Sequence, residues 1–210
     1  MRRSTDRYLE LLDSGERARL HRFKFDADKE RFLLGHGFLR EMLGAYLGRD
    51  AHSITFERGT HGKPYLTGHP LHFNLSDTKD AIAVAFARHT AVGLDVETMH
   101  RTVDHVSVGA HYFTKEEQAS IEAAYDGKRR FLEFWTRKEA VLKASGVGIM
   151  DDLRVLRVDQ TENRMMIAHE TFIAMAAPEY HVTTWAVDPT GIISLATPLP
   201  HTGVKLFALG

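Results

Sequence analysis

The 210-residue chain is 43% hydrophobic and 26% charged, which is typical of a globular protein with one large or two small domains. Its 27 basic and 28 acidic residues give a net charge of −1, so we predict neither nucleic acid nor a membrane surface as a partner. The absence of cysteine excludes disulfides and thiolate chemistry and, with no transmembrane run and no secretory signal core, predicts a cytoplasmic protein.

The first half of the chain is predicted to open with helices. Tyr8–Leu12 and Glu16–Phe23 have helical spacing on either side of a break at Ser14-Gly15. A longer helix is predicted over Asp28–Leu47, where apolar residues recur every three or four positions until Gly48. We therefore expect three helical pieces before the first strand.

Basic residues in this region are candidates for binding an anion. A local cluster, equally typical of a solvated helix face and of an anion site, is formed by Arg17, Arg19, Arg22 and Lys24. Farther on, the turn-rich segment Gly59–Gly68 contains Lys63. A lysine in such a turn can offer a phosphate its ammonium and nearby backbone N–H groups, although most loop lysines are merely solvated.

A hairpin is predicted in the middle of the chain. Ala81–Ala87 and Ala91–Glu97 alternate large apolar residues with small ones, which predicts two strands sharing one core face. The other face carries alanine and glycine, which would leave room for a ligand beside Asp95 and Glu97. An Asp-x-Glu pair on a strand is more often solvated than functional, but solvated faces seldom carry so many alanines.

The remaining elements predict a mixed fold. Thr114 and Glu117 form a capping box that opens a helix ending near Asp126. Short strands are predicted at Ile54–Phe56, His72–Leu75, Leu153–Val158, Arg164–Ala168, Tyr180–Val187 and Ile192–Leu195. A turn at Asp188–Gly191 joins the last two. This order predicts an α+β protein whose two halves meet near Val92–Glu97.

The segment Phe131–Gly148 is predicted to be the central helix of the second half. Its apolar residues follow helical spacing, and glycines end it. Glu139 lies about 40° from Trp135 and Lys143 about 40° further round the helix, so they border the buried stripe. Such a pair, four residues apart, is usually a surface ion pair of small energy.

Three carboxylates are candidates for holding a metal ion. They belong to Asp95, Glu97 and Glu139, and Lys143 accompanies the third. Magnesium takes oxygen ligands and completes its shell with water and substrate phosphates, and manganese accepts similar sites. Such an ion clamps a pyrophosphate and offsets charge during displacement at phosphorus. A magnesium site is therefore predicted, provided that the strand and the helix meet.

Five segments resemble the 4′-phosphopantetheinyl transferases: GKPYL, FNLSDT, GLDVE, FTKEE and FWTRKEAVLKASGVG. The likeness runs from about Arg22 to the turn at Val187–Pro189, and its most specific part is GLDVE with W-x-x-KEA-x-x-K. The chain length resembles the two-domain type that serves peptide synthetases, polyketide synthases and fatty acid synthesis. The resemblance implies a monomer of two similar α+β halves, residues 1–93 and 94–210, related by pseudo-two-fold symmetry with the ligand cleft between them.

The resemblance also implies a reaction, that of a holo-acyl-carrier-protein synthase. A serine of an apo acyl or peptidyl carrier protein attacks the β-phosphorus of coenzyme A, and adenosine 3′,5′-bisphosphate leaves. Asp95, Glu97 and Glu139 match the magnesium ligands, and Glu139 is also the expected general base, directly or through a water. Lys143 matches the lysine that contacts the transferred phosphate. The segment Tyr112–Tyr125 resembles the carrier-docking region, although its apolar residues are equally suited to the core.

The nucleotide side of the implied coenzyme A site contains one departure from the family. Lys63 matches the lysine of the Gly-Lys-Pro turn, and Arg19 lies near a position that binds the 3′-phosphate. Ser76 matches the serine before a pyrophosphate-contacting histidine, which is Asp77 here. We expect Asp77 to cap the following turn, or otherwise to bind metal or pair with a cation, because it would repel the pyrophosphate. The lost donor would be replaced by His61, His69, His72 or a water.

Two other functions are alternatives. A metal-dependent nuclease also uses acids and a lysine, but its glutamate and lysine usually lie two apart on a strand, whereas Glu139 and Lys143 lie four apart on a helix. The near-neutral charge also argues against a nucleic acid substrate. A degenerate binding module for coenzyme A or a carrier protein is supported only by Asp77. Free and acylated coenzyme A remain alternative substrates.

Overall fold

The computed structural model describes residues 2–68, 71–148, 150, 152–158, 164–167, 169–187, 189–201 and 203–208. Its helices are α1 (Arg2–Leu11), α2 (Ser14–Arg22), α3 (Asp26–Leu47), α4 (His105–Tyr112), α5 (Lys115–Ala123), α6 (Gly127–Ser145) and α7 (Glu170–Met175). Its strands are β1 (Glu57–Arg58), β2 (Pro64–Tyr65), β3 (Leu71–Thr78), β4 (Ala81–Arg88), β5 (Gly93–Thr98), β6 (Arg164–Met166), β7 (Glu179–Val187) and β8 (Gly191–Thr197). The predicted α+β class is confirmed. None of the described helices has both the length and the apolar stretch that a bilayer crossing demands.

Helix boundaries follow the capping signals in the sequence. The Thr114 side chain accepts a hydrogen bond from the Glu117 N–H while the Glu117 carboxylate accepts one from the Thr114 N–H, so the predicted capping box opens α5. Asp13 and Glu16 form a second box at the start of α2. Gly146 ends α6 at φ +72°, which glycine adopts without a steric penalty. The helices predicted for the first half are present as α1, α2 and α3.

The described strands form three antiparallel sheets. β1 pairs with β2, β3 pairs with β4, and the third sheet has the strand order β5-β8-β7-β6. The predicted hairpin between Ala81–Ala87 and Ala91–Glu97 is therefore wrong, because β4 and β5 belong to different sheets. The turn between them separates the sheets and does not fold one strand back onto the other.

Polar side chains of β3 join the two larger sheets. The Leu94 N–H donates to Asn74 Oδ1 at 2.7 Å, and the Val96 N–H donates to Ser76 Oγ at 3.2 Å. These bonds satisfy backbone donors of β5 that a neighbouring strand would otherwise satisfy. As a result, β3 from the first half lies against β5 without a backbone ladder.

The small face of β5 is covered by α6. A Cβ atom on Gly93 would lie 2.0 Å from the Ala140 carbonyl oxygen and 2.2 Å from the Ala144 backbone nitrogen, so only glycine permits this approach. The small face of β4 is also filled, because its alanines share one apolar cluster with Leu94 and Leu195. The room predicted for a ligand on these faces is thus occupied by protein.

Two of the short strand predictions are wrong. Ile54–Phe56 is not a strand and instead buries its isoleucine beneath α3. Leu153–Val158 begins with a 3₁₀ turn. Short apolar runs of this kind do not distinguish a strand from a buried turn. The strand predicted at Arg164–Ala168 begins as β6, while Ala168 and Asp188, which was predicted to lie in the β7–β8 turn, are outside the described residues.

Each part of the molecule has its own core. The larger core surrounds α6 and includes Phe131, Leu132, Phe134, Val141, Phe172, Tyr180 and Ile192. The smaller one lies between α3 and the β3–β4 sheet and includes Leu39, Leu43 and Phe73. One face of α6 is therefore fixed in the core, and the edge of that face meets β5. The boundary at residues 93 and 94 and the two-fold relation of the halves stay predictions.

Candidate active site

Three of the predicted site residues meet where β3, β5 and α6 converge. Lys143 Nζ lies 2.5 Å from Asp95 Oδ1 and 2.9 Å from Ser76 Oγ, both of which accept its hydrogen bonds. The Ser76 hydroxyl donates to the same Asp95 oxygen at 2.9 Å. Lys143 thus pairs with Asp95 across the strand and the helix, and not with Glu139 four residues earlier on its own helix.

Glu97 projects from the same strand and contacts a cation that the sequence did not reveal. One of its oxygens pairs with the Arg101 guanidinium, and the other accepts a hydrogen bond from Thr78 Oγ1 at 3.2 Å. The Arg101 guanidinium carbon lies 5.3 Å from the centre of the Trp135 ring. A spacing of four residues would suggest a Glu–Arg pair on a helix, but β5 ends between these two residues, so the pattern gave no signal.

The carboxylates of Asp95 and Glu139 both have a raised pKa. Burial raises the pKa of Asp95 against the opposing effect of the Lys143 ammonium. Burial, and then the charge of Asp95, raises the pKa of Glu139. Asp95 Oδ2 is buried without a hydrogen-bond partner, and Glu139 has none among the residues that the structure describes. Both carboxylates would therefore be stabilised by an added positive charge.

The donor set fits a hard divalent cation in its chemistry. It offers only carboxylate oxygens, one of them buried and unpartnered, and magnesium prefers oxygen ligands. Within the described ranges no three acidic or histidine side chains already converge as a complete set of ligands. Two of the carboxylates already contact cations, since Asp95 pairs with Lys143 and Glu97 pairs with Arg101. A metal would have to replace at least part of these contacts.

Lys63 lies at the junction of the two sheets and α6. Its ammonium donates to the carbonyl oxygens of Val92 at 3.0 Å and Ala144 at 3.1 Å. Ala144 belongs to the last turn of α6, where the helix dipole favours a cation. Burial lowers the pKa of Lys63 to about 8. The ammonium thus already has protein partners, and its contact with a nucleotide stays a prediction.

We expect Lys63 to make stability depend on pH above neutrality. Between its folded pKa of about 8 and the usual lysine value of about 10.4, the folded protein binds fewer protons at Lys63 than the unfolded chain does. Stability rises with pH across that window, and the neutral amine keeps N–H donors for both carbonyls. Relative to Lys63→Gln, the wild-type free energy of unfolding should increase by up to about 3 kcal/mol.

Urea titrations at intervals from about pH 7.5 to about pH 10 measure this difference. Lys29→Gln is the control, because Lys29 is exposed and pairs with Asp26 on the surface. Its stability should follow the wild type at every pH. A wild-type advantage over Lys63→Gln that is flat or falls with rising pH would contradict the expectation.

Arg19 and Asp77 line a cavity of about 150 Å³ between α2, α3 and β3. The guanidinium carbon of Arg19 lies 5.2 Å from the centre of the Phe32 ring, which forms another part of the wall. Arg17, from the same basic cluster, instead donates to backbone carbonyl groups. The basic cluster predicted from the sequence is therefore not a single site. Arg19 lines the cavity, whereas Arg17 bonds to the backbone.

Asp77 pairs with a cation and does not cap the following turn. Its Oδ2 accepts a hydrogen bond from Arg31 Nε at 2.7 Å, while Arg31 Nη2 donates to Asp28 at the same distance. The expected cap is wrong, because β3 continues through Thr78 and a charge-assisted bond to Arg31 is available across the cavity. Of the histidines considered as replacement donors, His69 lies outside the described residues.

On the coenzyme A site that the sequence resemblance implies, we expect Asp77→His to leave the fold intact and to lower the Michaelis constant. The substitution removes a carboxylate from the cavity and frees the Arg31 donor that Asp77 now occupies. An imidazole can donate to an anion, whereas a carboxylate only accepts and repels it. The constant is measured for both proteins at matched magnesium. A higher constant, or lost turnover in a folded variant, would mean that Asp77 contributes to binding.

The segment Tyr112–Tyr125 is divided between the core and the surface. Phe113 and Ile121 are buried in the larger core, and the Tyr112 ring packs edge-on against Trp135 at 5.8 Å. Tyr125 is fully exposed. The apolar character of the segment is therefore explained mainly by packing, and its contact with a carrier protein stays a prediction.

The fold and the site define an α+β protein with an acidic cluster and a lysine at the contact of two sheets. Residues 91–188 match the family described as the 4′-phosphopantetheinyl transferase superfamily. Residues 2–89 match the family described as 4′-phosphopantetheinyl transferase, N-terminal. The two matches lie on either side of the start of β5.

Similar proteins carry the same family name. The chain is 35% identical to 4′-phosphopantetheinyl transferase HetI of Nostoc sp. over 144 residues, 66% of this chain and 61% of that protein. It is 30% identical to 4′-phosphopantetheinyl transferase pptA of Paxillus involutus over 184 residues, 77% of this chain and 70% of that protein. Identity to 4′-phosphopantetheinyl transferase psf-1 of Bacillus pumilus is 27% over 192 residues, 88% and 78% of the two chains. The chain belongs to the 4′-phosphopantetheinyl transferase superfamily, although it spans less than two thirds of the HetI protein.

Proposed function

We propose that the protein transfers the 4′-phosphopantetheine group from coenzyme A to a serine of an apo acyl or peptidyl carrier protein. The observation that carries the proposal is the contact of Lys143 with Asp95 and Ser76. It places an ammonium beside an acidic cluster at the meeting of β3, β5 and α6, where a phosphate can be bound next to carboxylates. Family membership supports the same reaction.

Glu139 is proposed as the general base. The serine oxygen forms a bond to the β-phosphorus, the bond from that phosphorus to the bridging oxygen breaks, and adenosine 3′,5′-bisphosphate leaves. The hydroxyl proton passes to Glu139 directly or through a water. Without a metal, burial and the nearby charge of Asp95 raise the pKa of Glu139, and a cation bound to the same carboxylate would act against that shift.

The other charged residues are proposed to position the pyrophosphate. Asp95, Glu97 and Glu139 would hold a magnesium ion, or manganese in its place, which offsets negative charge on phosphate oxygens when bound. Lys143 would turn from Asp95 and Ser76 toward the phosphate being transferred, which its flexible side chain permits. Its ammonium then stabilises the charge on that phosphate during the displacement.

The nucleotide end of coenzyme A is proposed to lie on the first half of the chain. Arg19 and Asp77 line one cavity, Ser76 joins β3 to the acidic cluster, and Lys63 holds the Gly-Lys-Pro turn against α6. Residues 1–93 would then supply the nucleotide side, and residues 94–210 the metal side and the carrier-docking surface. We propose a cytoplasmic monomer in which one chain forms the whole cleft.

Transfer is tested directly by mass spectrometry. The protein is incubated with coenzyme A, magnesium and a panel of apo carrier proteins, and each carrier is examined for the mass gain of a phosphopantetheine arm. A gain on the carrier, lost when its acceptor serine is changed to alanine, supports the proposal. Binding of coenzyme A without a gain on any carrier would leave a binding module in place of an enzyme.

We expect transfer to require a divalent cation. A chelator should abolish the mass gain, and added magnesium or manganese should restore it, because both ions accept sites rich in oxygen ligands. Calcium is a useful comparison, since it prefers longer bonds and more ligands than this set supplies. Full turnover in excess chelator would exclude the metal assignment.

A further inference from the structure

Arg101 links the acidic cluster to the aromatic packing of the second half. Its guanidinium pairs with one oxygen of Glu97 and lies over the Trp135 ring, with 31% of the side chain exposed. Glu97 is only 10% exposed, so its charge depends on this neighbour and on the hydroxyl of Thr78. Neither the sequence patterns nor the proposed reaction assigns a role to Arg101.

The charges of the cluster do not balance. Among the residues that the structure describes, the three carboxylates of Asp95, Glu97 and Glu139 face two cations, Lys143 and Arg101. Lys143 engages one oxygen of Asp95, and Arg101 engages one oxygen of Glu97. The other Asp95 oxygen is buried and unpartnered. The cluster therefore keeps one negative charge in excess and one oxygen ready to accept a ligand.

Arg101 acts on the whole cluster and not on Glu97 alone. Its positive charge also interacts favourably with the carboxylates of Asp95 and Glu139. A divalent cation at the same carboxylates would act in the same direction. Arg101 and a metal ion would thus be attracted to the same carboxylates. They would also compete for the same oxygen of Glu97.

We propose that Arg101 is a displaceable counter-cation, which stabilises Glu97 while no metal is bound and weakens metal binding by occupying one of its ligand oxygens. The inference rests on the metal site of the proposed function. Displacement is made easier by Trp135, since the guanidinium can leave Glu97 and stay over the ring or turn to solvent. Arg101 is therefore a positioning residue that sets the affinity of the site for metal.

The test measures metal affinity without coenzyme A or carrier protein. Mn²⁺ is titrated into the purified protein by calorimetry, and the dissociation constant is compared between the wild type and Arg101→Gln. We expect the dissociation constant of Arg101→Gln for Mn²⁺ to be about tenfold lower than that of the wild type, because the substitution removes a competing unit charge at contact distance. An unchanged or larger dissociation constant in the folded variant would overturn the proposal.

Two further variants keep the test decisive. Arg101→Met retains an unbranched stem to pack against Trp135, so it replaces the Gln variant should that fail to fold, and the same decrease is expected. Arg130→Gln is the matched control. Arg130 also pairs with a carboxylate, that of Glu133, and lies 5.5 Å from the centre of an aromatic ring, but the pair is outside the acidic cluster. Its Mn²⁺ affinity should equal that of the wild type, and a similar decrease there would show that the effect is not specific to Arg101.

A thermal measurement supplies a second readout. Without metal, Arg101→Gln should melt below the wild type because Glu97 has lost its cation, and added Mn²⁺ should raise its melting temperature more than that of the wild type. An equal rise in both proteins would contradict the competition. The two hypotheses fail separately, because a wild-type protein that modifies no carrier refutes the proposed transfer while the metal titration still tests Arg101.

Discussion

Replacing Glu139 with glutamine is expected to lower kcat for phosphopantetheine transfer by about 10²-fold or more, with the fold unchanged. Glutamine has nearly the shape of glutamate but cannot accept a proton at neutral pH. Within the described structure Glu139 has no hydrogen-bond partner to lose, and neutralising a buried carboxylate removes an energetic cost. A large loss of rate without a loss of stability would therefore identify a chemical role.

Glu133→Gln is the matched control for this prediction. It lies on the same helix, but its carboxylate pairs with Arg130 near the surface. We expect its rate to stay within about twofold of the wild type, as is usual for an exposed ion pair. The rates are compared at saturating magnesium, so that weaker metal binding by Glu139→Gln does not appear as slower chemistry. A Glu139→Gln protein that turns over at the wild-type rate would show that Glu139 is not the general base.

The helix α6 and its site residues could be predicted because local rules determine them. The spacing of apolar residues places Glu139 and Lys143 at the border of the buried face, and Gly146 stops the helix. The alternation of large and small residues in Ala91–Glu97 then placed Asp95 and Glu97 on a strand. The sequence alone did not show whether the strand and the helix meet. In the structure they do, because Gly93 has no side chain and the backbone of α6 packs directly against it.

The surroundings of β5 could not be predicted. On one side it pairs with β8, and on the other it meets β3, which belongs to a different sheet. The side chains of Asn74 and Ser76 accept hydrogen bonds from backbone N–H groups of β5. Alternation in a sequence indicates which residues share a face, but it carries no information about which distant group satisfies the backbone. The proximity of Ala81–Ala87 along the chain therefore led to the wrong pairing.

The ion pairs of the site were hidden for a similar reason. Asp77 and Arg31 are 46 positions apart, and Asp95 and Lys143 are 48 apart, so no local spacing relates them. The family resemblance in the sequence pointed to Lys143, because this lysine belongs to a motif. It gave no comparable signal for Arg31 or Arg101, whose positions depend on how the elements pack.

A buried ion pair fixes α6 to α5 next to the proposed base. Lys138 and Glu117 have fully buried side chains, and Lys138 Nζ lies 3.0 Å from Glu117 Oε2. Lys138 also donates to the Leu153 carbonyl at 2.8 Å, and the second Glu117 oxygen accepts from the Val158 N–H at 2.7 Å. The sequence revealed Glu117 only as a capping residue, yet its carboxylate also compensates the charge beside Glu139.

Lys138→Met is expected to lower the free energy of unfolding by about 3–5 kcal/mol, because Glu117 then stays buried without its cation. Adding Glu117→Gln should recover part of that loss, since the double variant no longer contains an uncompensated charge. The surface substitution Arg130→Gln should cost less than about 1 kcal/mol. Urea unfolding of the four proteins, wild type included, measures all three differences. A stability loss for Lys138→Met as small as that for Arg130→Gln would mean that the α5–α6 contact is held by apolar packing alone. A double variant less stable than Lys138→Met would mean that Glu117 stabilises the fold through its backbone hydrogen bonds even without the lysine.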